Sequence, residues 1–189
     1  QRVFAQVLRD IAMTIVSTLD LQEVFDRLLN QLGRVIHYDY ANFALLNDKD
    51  EVSIERRAGY SESEMNQPMV NGVSTISDTD LMRQVYETKG PLVLDSIEDS
   101  PLSAKFKSHI TARAYIGVPI LLRKRVIGFL NVFSSQRESY RPEDADRMVA
   151  LADLVAIAMD NAKLSDQVQE IARQEARSHL ARDLHDSGT

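Results

Sequence analysis

The chain of 189 residues contains no cysteine. That excludes disulfides, thiolate metal sites, a cysteine nucleophile and any thioether-linked chromophore. It also fits a reducing compartment, so a cytoplasmic location is the expectation. Basic charge is in deficit, with 22 Lys and Arg against 28 Asp and Glu and a net charge of -6. A nucleic-acid partner is not expected, because phosphate-backbone binders normally present a basic face. Long apolar runs are missing too. The longest one free of Gly and Pro is Leu154 to Met159, far short of the roughly 20 residues of a membrane span. An upstream membrane tether on a parent chain stays open. What is present, 44% hydrophobic and 26% charged residues, describes an ordinary globular core with a solvated surface.

Apolar residues recur every three or four positions at Val3, Phe4, Val7, Leu8, Ile11, Ile15 and Val16, which predicts an amphipathic first helix. Asp20 with Glu23 has the spacing of a capping box, opening a second helix whose apolar face is Val24, Phe25, Leu28, Leu29, Leu32 and Ile36. His37 is expected to complement the C-terminal end of that helix. From residue 40 the period becomes two. Residues 40–46 and 52–55 read as strands around an Asn47-Asp48-Lys49-Asp50 turn.

Residues 61–75 read as a loop, and Asp78 or Asp80 can cap a short helix from Leu81 to Thr88, stopped by Gly90 and Pro91. Pro91-Leu92-Val93-Leu94 is then a short edge-strand candidate, followed by an irregular stretch through His109. The clearest hairpin joins residues 115–122 to 126–133 through Arg123-Lys124-Arg125. Pro119 within it implies an edge or bulge position, and Gly128 the close approach of another backbone or simply a bulge.

Pro142, followed by Glu143, Asp144 and Asp146, is a helix start with acids at the positive end of the dipole. No Gly or Pro then appears before Gly188. Met148 to Met159 is nearly all apolar and should pack on the domain. Beyond Ala162 only a narrow stripe persists: Leu164, Val168, Ile171, Ala172, Ala176, Leu180 and Leu184. Such a stripe on a charged helix calls for a partner helix, so a parallel coiled-coil homodimer is expected.

Three segments, in this order and spacing, resemble the GAF domain: residues 17–24, the pair 116–120 and 126–130, and residues 156–162. The resemblance implies an α/β (α+β) fold, a GAF/PAS-like antiparallel sheet flanked by helices, with a long C-terminal signalling helix. It places a GAF sensor domain at 1–162 and a coiled-coil signalling helix, leading into a phosphotransfer helix, at 163–189. A second likeness is shorter. Residues 177–186, Arg-Ser-His-Leu-Ala-Arg-Asp-Leu-His-Asp, resemble the H-box of nitrate-sensor-type histidine kinases. That implies His185 as phosphoacceptor and Asp186 as the acid that orients or deprotonates it.

The chemistry suits the pair. A neutral imidazole is a competent nucleophile when one ring nitrogen is free, and an adjacent carboxylate can hold the other nitrogen's proton. The resemblance further implies a homodimer, the parent chain's catalytic ATPase domain and a response regulator receiver domain as partners. The ATP-binding catalytic domain is not in these residues. The alternative is a dimeric GAF ligand-binding module of a non-kinase regulator.

The ligand is unknown from sequence. His109, Tyr115 and Asn131 are pocket candidates, since some haem-binding GAF sensors place a proximal histidine at a spacing like that of His109 from Gly117, with the matching distal position at Asn131. Haem is therefore one candidate cofactor, and a covalent bilin is excluded by the missing cysteine. No metal is expected, because His37, His109, His179 and His185 lack ligand spacing.

Overall fold

The computed structural model describes residues 2–66, 72–78, 80–102 and 111–187, with side chains of the final helix described as far as Ser178. Two helices, α1 (Arg2–Ser17) and α2 (Leu21–Leu32), precede β1 (Tyr40–Leu46) and β2 (Glu51–Ala58). A one-turn helix α3 (Glu62–Met65), β3 (Val73–Thr75), a 3-10 turn and α4 (Asp80–Thr88) lead to β4 (Leu92–Leu94). The hairpin of β5 (Ala114–Leu122) and β6 (Arg125–Ser134) then feeds α5 (Pro142–Ser187). The strands form one six-stranded antiparallel sheet in the order β3-β2-β1-β6-β5-β4.

Strand alternation sorts the side chains into two layers. On one face Ala41, Phe43, Ile116, Val118, Ile120, Leu130 and Val132 pack against α1, α2 and the first third of α5 through Ile11, Phe25, Leu28, Met148, Leu151 and Val155. Phe25 stacks on Phe43 with ring centroids 4.9 Å apart, joining α2 to the sheet centre. On the other face α4 covers a smaller core, in which Leu81 and Val85 meet Ala44, Phe129, Tyr115 and Phe133. Gly128 sits where β1 crosses close to β6, since a Cβ there would lie 2.6 Å from the Ala44 carbonyl oxygen. Pro119 lies past the reach of β4, which pairs only with residues 115–117, so its missing N–H interrupts no ladder on that side.

Two helix-end expectations are corrected. Asp20 does cap α2, but by accepting the Gln22 N–H at 2.8 Å, while Glu23 turns to Arg27 instead of closing a capping box. The reciprocal box occurs at Ser61 and Glu64, at the start of α3. His37 does not finish α2, which is capped at Gly33. Backbone N–H groups of Arg34, Val35 and Ile36 occupy its last carbonyls. His37 instead acts on Asp39.

The Asp39 carboxylate accepts the Ser135 N–H at 2.6 Å and the Ser135 and Ser134 hydroxyls. These bonds, the backbone one foremost, and the positive charge of His37 hold it below the usual carboxylate range despite partial burial. A group with a depressed folded-state pKa stabilises above its unfolded value and loses that contribution as pH falls through the folded one. Wild-type protein should thus lose stability below pH ~4 more steeply than Asp39→Asn. Urea unfolding between pH 3 and 6 checks this; parallel curves would refute it.

The β5–β6 turn is Arg123-Lys124, with φ of 51° and 68°. Two successive left-handed residues make a type I′ turn, which Asn-Gly adopts with far less strain. Arg123→Asn with Lys124→Gly relieves the left-handed strain and is expected to raise stability by roughly 1 kcal/mol, read from the urea midpoint.

Candidate functional site

The sheet face beneath α4 carries a row of residues placed by strand register. Arg57 on β2 pairs with Asn42 on β1, Asn42 with Asn131 on β6, and Asn131 with Gly117 on β5. Both asparagines are buried, with exposures of 4% and 1%. Buried amides need partners, and here they find each other. Tyr115 Oη donates to Asn131 Oδ1 at 2.7 Å, Asn131 Nδ2 to Asn42 Oδ1 at 2.9 Å, and Asn42 Nδ2 to Tyr60 Oη at 2.9 Å.

Gly117 makes this geometry available. Tyr115 leans along β5 across the glycine, whose absent side chain leaves the space that the Tyr115 hydroxyl fills; a Cβ there would lie 1.9 Å from it. The Tyr115 ring also packs on Phe133 at 5.0 Å. Complete burial pushes its phenol well above the ordinary tyrosine value, so it stays a neutral donor.

At the other end the Tyr60 ring meets the Tyr40 ring edge-on at 5.3 Å, and Tyr40 Oη donates to Glu64 Oε1 at 3.2 Å. Burial, chiefly, pushes the Tyr60 hydroxyl up to about 12, while Asn42 and Arg57 pull against it and Glu64 adds to it. The arrangement is a hydrogen-bonding floor of neutral groups set among aromatic rings. Among the described residues no group of three or more His, Asp or Glu side chains could hold a metal ion.

The sequence profile of the GAF domain matches residues 18–160. The chain belongs to the GAF domain family. The GAF sheet and its helices are shared with solved structures at low identity. The GAF domain of an Acinetobacter phosphoenolpyruvate-protein phosphotransferase superposes with a TM-score of 0.69 at 20% identity, covering 85% of this chain and 94% of that one. The free methionine-R-sulfoxide reductase of Neisseria meningitidis, in complex with its substrate, gives 0.72 at 17%, covering 87% and 94%.

Among curated proteins, an uncharacterized sensor-like histidine kinase of Chloroflexus aurantiacus is 26% identical over 184 residues, covering 93% of this chain. The chain spans 29% of that relative's length. Among the described residues no helix is long and apolar enough to cross a membrane.

Of the residues singled out from sequence, Tyr115 and Asn131 are brought together in the GAF domain's buried floor. His109 lies outside the described residues. The backbone of α5 runs helical through His185 and Asp186, whose side chains lie outside the described ones. Tyr60 closes the chain of hydrogen bonds. Asn42 was not legible as a site residue. The available signal was a single amide at a non-helix-facing position of an otherwise apolar and aromatic strand.

Proposed function

We propose that this chain is the sensory and dimerisation region of a cytoplasmic two-component sensor histidine kinase, in which the GAF domain binds a small molecule and α5 relays its state to the phosphoacceptor His185. The observation that carries the reading is the continuity of α5. One 46-residue helix starts against the sheet and reaches the His-Asp pair. Its first part is buried through Met148, Leu151 and Val155, so sheet movements act on it directly. Beyond the domain Leu164, Val168 and Ile171 stand 49, 66 and 57% exposed at spacings of four and three, the seam of a helix pair. The sensor-like histidine kinase relative supports the same reading.

The second copy supplies the partner helix. The parent's ATPase domain supplies phosphate, and a response regulator receiver domain accepts it. Ligand binding biases the rotation or splay of the two helices, and so the presentation of His185.

A helix transmits phase as well as position, at about 100° per residue. One alanine inserted between Lys163 and Leu164 of the parent kinase is expected to change autophosphorylation by roughly tenfold or more. Seven inserted residues, which leave only about 20° of drift, should stay within about threefold. Equal rates for both insertions, measured by phosphate incorporation, would remove the relay.

A further inference from the structure

The floor of the GAF domain holds more hydrogen-bond donors than it uses. Tyr115 commits its only proton to Asn131. Asn131 and Asn42 each commit one of two amide protons, and Tyr60 accepts from Asn42, so its own proton is uncommitted. Among the described residues, one amide proton on Asn131, one on Asn42 and the Tyr60 hydroxyl proton are thus left in a connected patch. Buried N–H groups without an acceptor are rarer and costlier than carbonyl oxygens with a spare lone pair. The floor therefore asks for acceptors.

Charge narrows the class. The Asn-Asn core is uncharged, and the two charged groups felt by Tyr60, Arg57 and Glu64, act on it in opposite directions. Arg57 stands beside Asn42 in the same row, but Glu64 opposes its charge at Tyr60, so neither sign of ion gains a net counter-charge for the hydration it would lose. The flanks are the rings of Tyr40, Tyr60, Tyr115 and Phe133, paired edge-on and tilted, which suit a flat molecule.

We propose that Asn42, Asn131 and Tyr60 form a donor comb that binds a flat, neutral molecule through carbonyl or ring-nitrogen acceptors. This rests on the reading of the chain as a ligand sensor and names the chemistry of that same site. The comb also carries the ligand's presence to Tyr115. An acceptor on Tyr60 and the amides locks the hydrogen bonds in the direction Tyr115 to Asn131 to Asn42 to Tyr60. Tyr115 lies against Leu81 of α4 and on β5, which packs α5 on its other face.

The test uses three neutral acceptors (1,3-dimethyluracil, 2-pyridone and N-methyl-2-pyridone) with benzamidinium and benzoate as charged counterparts of similar size. The side-chain amide resonances of Asn42 and Asn131 in the intact chain report contact directly. Saturable shifts of both amides with at least one neutral acceptor, and at least fivefold weaker shifts with both ions, are expected. Tyr60→Phe, which removes the donor at the end of the comb together with the acceptor of Asn42 and leaves the Asn131–Asn42 bond, should weaken acceptor binding at least fivefold.

Shifts as large with either ion, no shift with any neutral acceptor, or unchanged binding in Tyr60→Phe would each overturn the comb. Binding that leaves autophosphorylation of the parent kinase unaltered counts against the sensor reading alone.

Discussion

Replacing Gly117 by alanine is expected to destabilise the domain by about 3 kcal/mol, near the upper end of the overpacking range. A Cβ at this position would stand 1.9 Å from the Tyr115 oxygen, 2.5 Å from its Cζ and 3.0 Å from its Cε1. Relief requires moving Tyr115, and nothing around it yields cheaply. The ring is fully buried beside Phe133, and its hydroxyl is held by Asn131. If the ring swings out it leaves Asn131 with an unanswered acceptor and opens a hole against Leu81.

Gly90 is the control, because its nearest neighbour to an added Cβ is the Thr88 carbonyl at 3.8 Å. Gly90→Ala should change stability by less than about 0.5 kcal/mol. Coupling identifies the cause. Gly117→Ala combined with Tyr115→Ala should cost roughly 2 kcal/mol less than the sum of the single changes, since the clash needs both partners. Urea unfolding of the four variants decides; an additive pair, or a harmless Gly117→Ala, would mean that Tyr115 does not lie across the glycine.

The parts legible in the sequence were those governed by local periodicity. Residues 116, 118 and 120 alternate with 115, 117 and 119, and the strand presents them to opposite faces as a period of two requires. Pro142 with its following acids marked the start of α5 to the residue. Gly128 left a close backbone or a bulge open, and the Ala44 carbonyl does lie close to it, with a register shift between the facing Ile120 and Leu121. Local rules erred where two chemistries compete for one side chain. Glu23 has the spacing to close a capping box, yet an arginine one turn on offers a charged partner at 2.7 Å.

The floor was legible only in part, for a different reason. Asn131 and Asn42 are 89 residues apart and meet because β1 and β6 pair at the sheet centre. No window of sequence contains both. Tyr115 and Asn131 could be suspected from the strands that carry them, but their contact depends on a glycine that is itself diagnostic only once Tyr115 is seen across it. Family membership does not supply these contacts either. At 17 to 20% identity the solved relatives show the sheet alone and not the side chains on its floor.

The role proposed for His185 is the opposite case, since it rests entirely on adjacent residues. In the histidine kinase proposed as the parent, His185→Gln is expected to reduce acid-labile phosphate incorporation to background. Glutamine is close in size and a good helix former, so α5 should persist and the comparison isolates the nucleophile. Its amide nitrogen has no available lone pair and cannot form the phosphorus–nitrogen bond that imidazole forms. Asp186→Asn should be less severe, slowing incorporation by about 10²-fold, the lower end of what a positioned base contributes. The amide can still hydrogen-bond the ring but neither takes a proton nor offsets the positive charge that grows on the imidazole as the phosphoryl group arrives. The ordering separates two roles: total loss at 185 with partial loss at 186 fits a nucleophile and its orienting acid. Label that survives His185→Gln, or falls equally in both variants, would place the phosphoacceptor elsewhere.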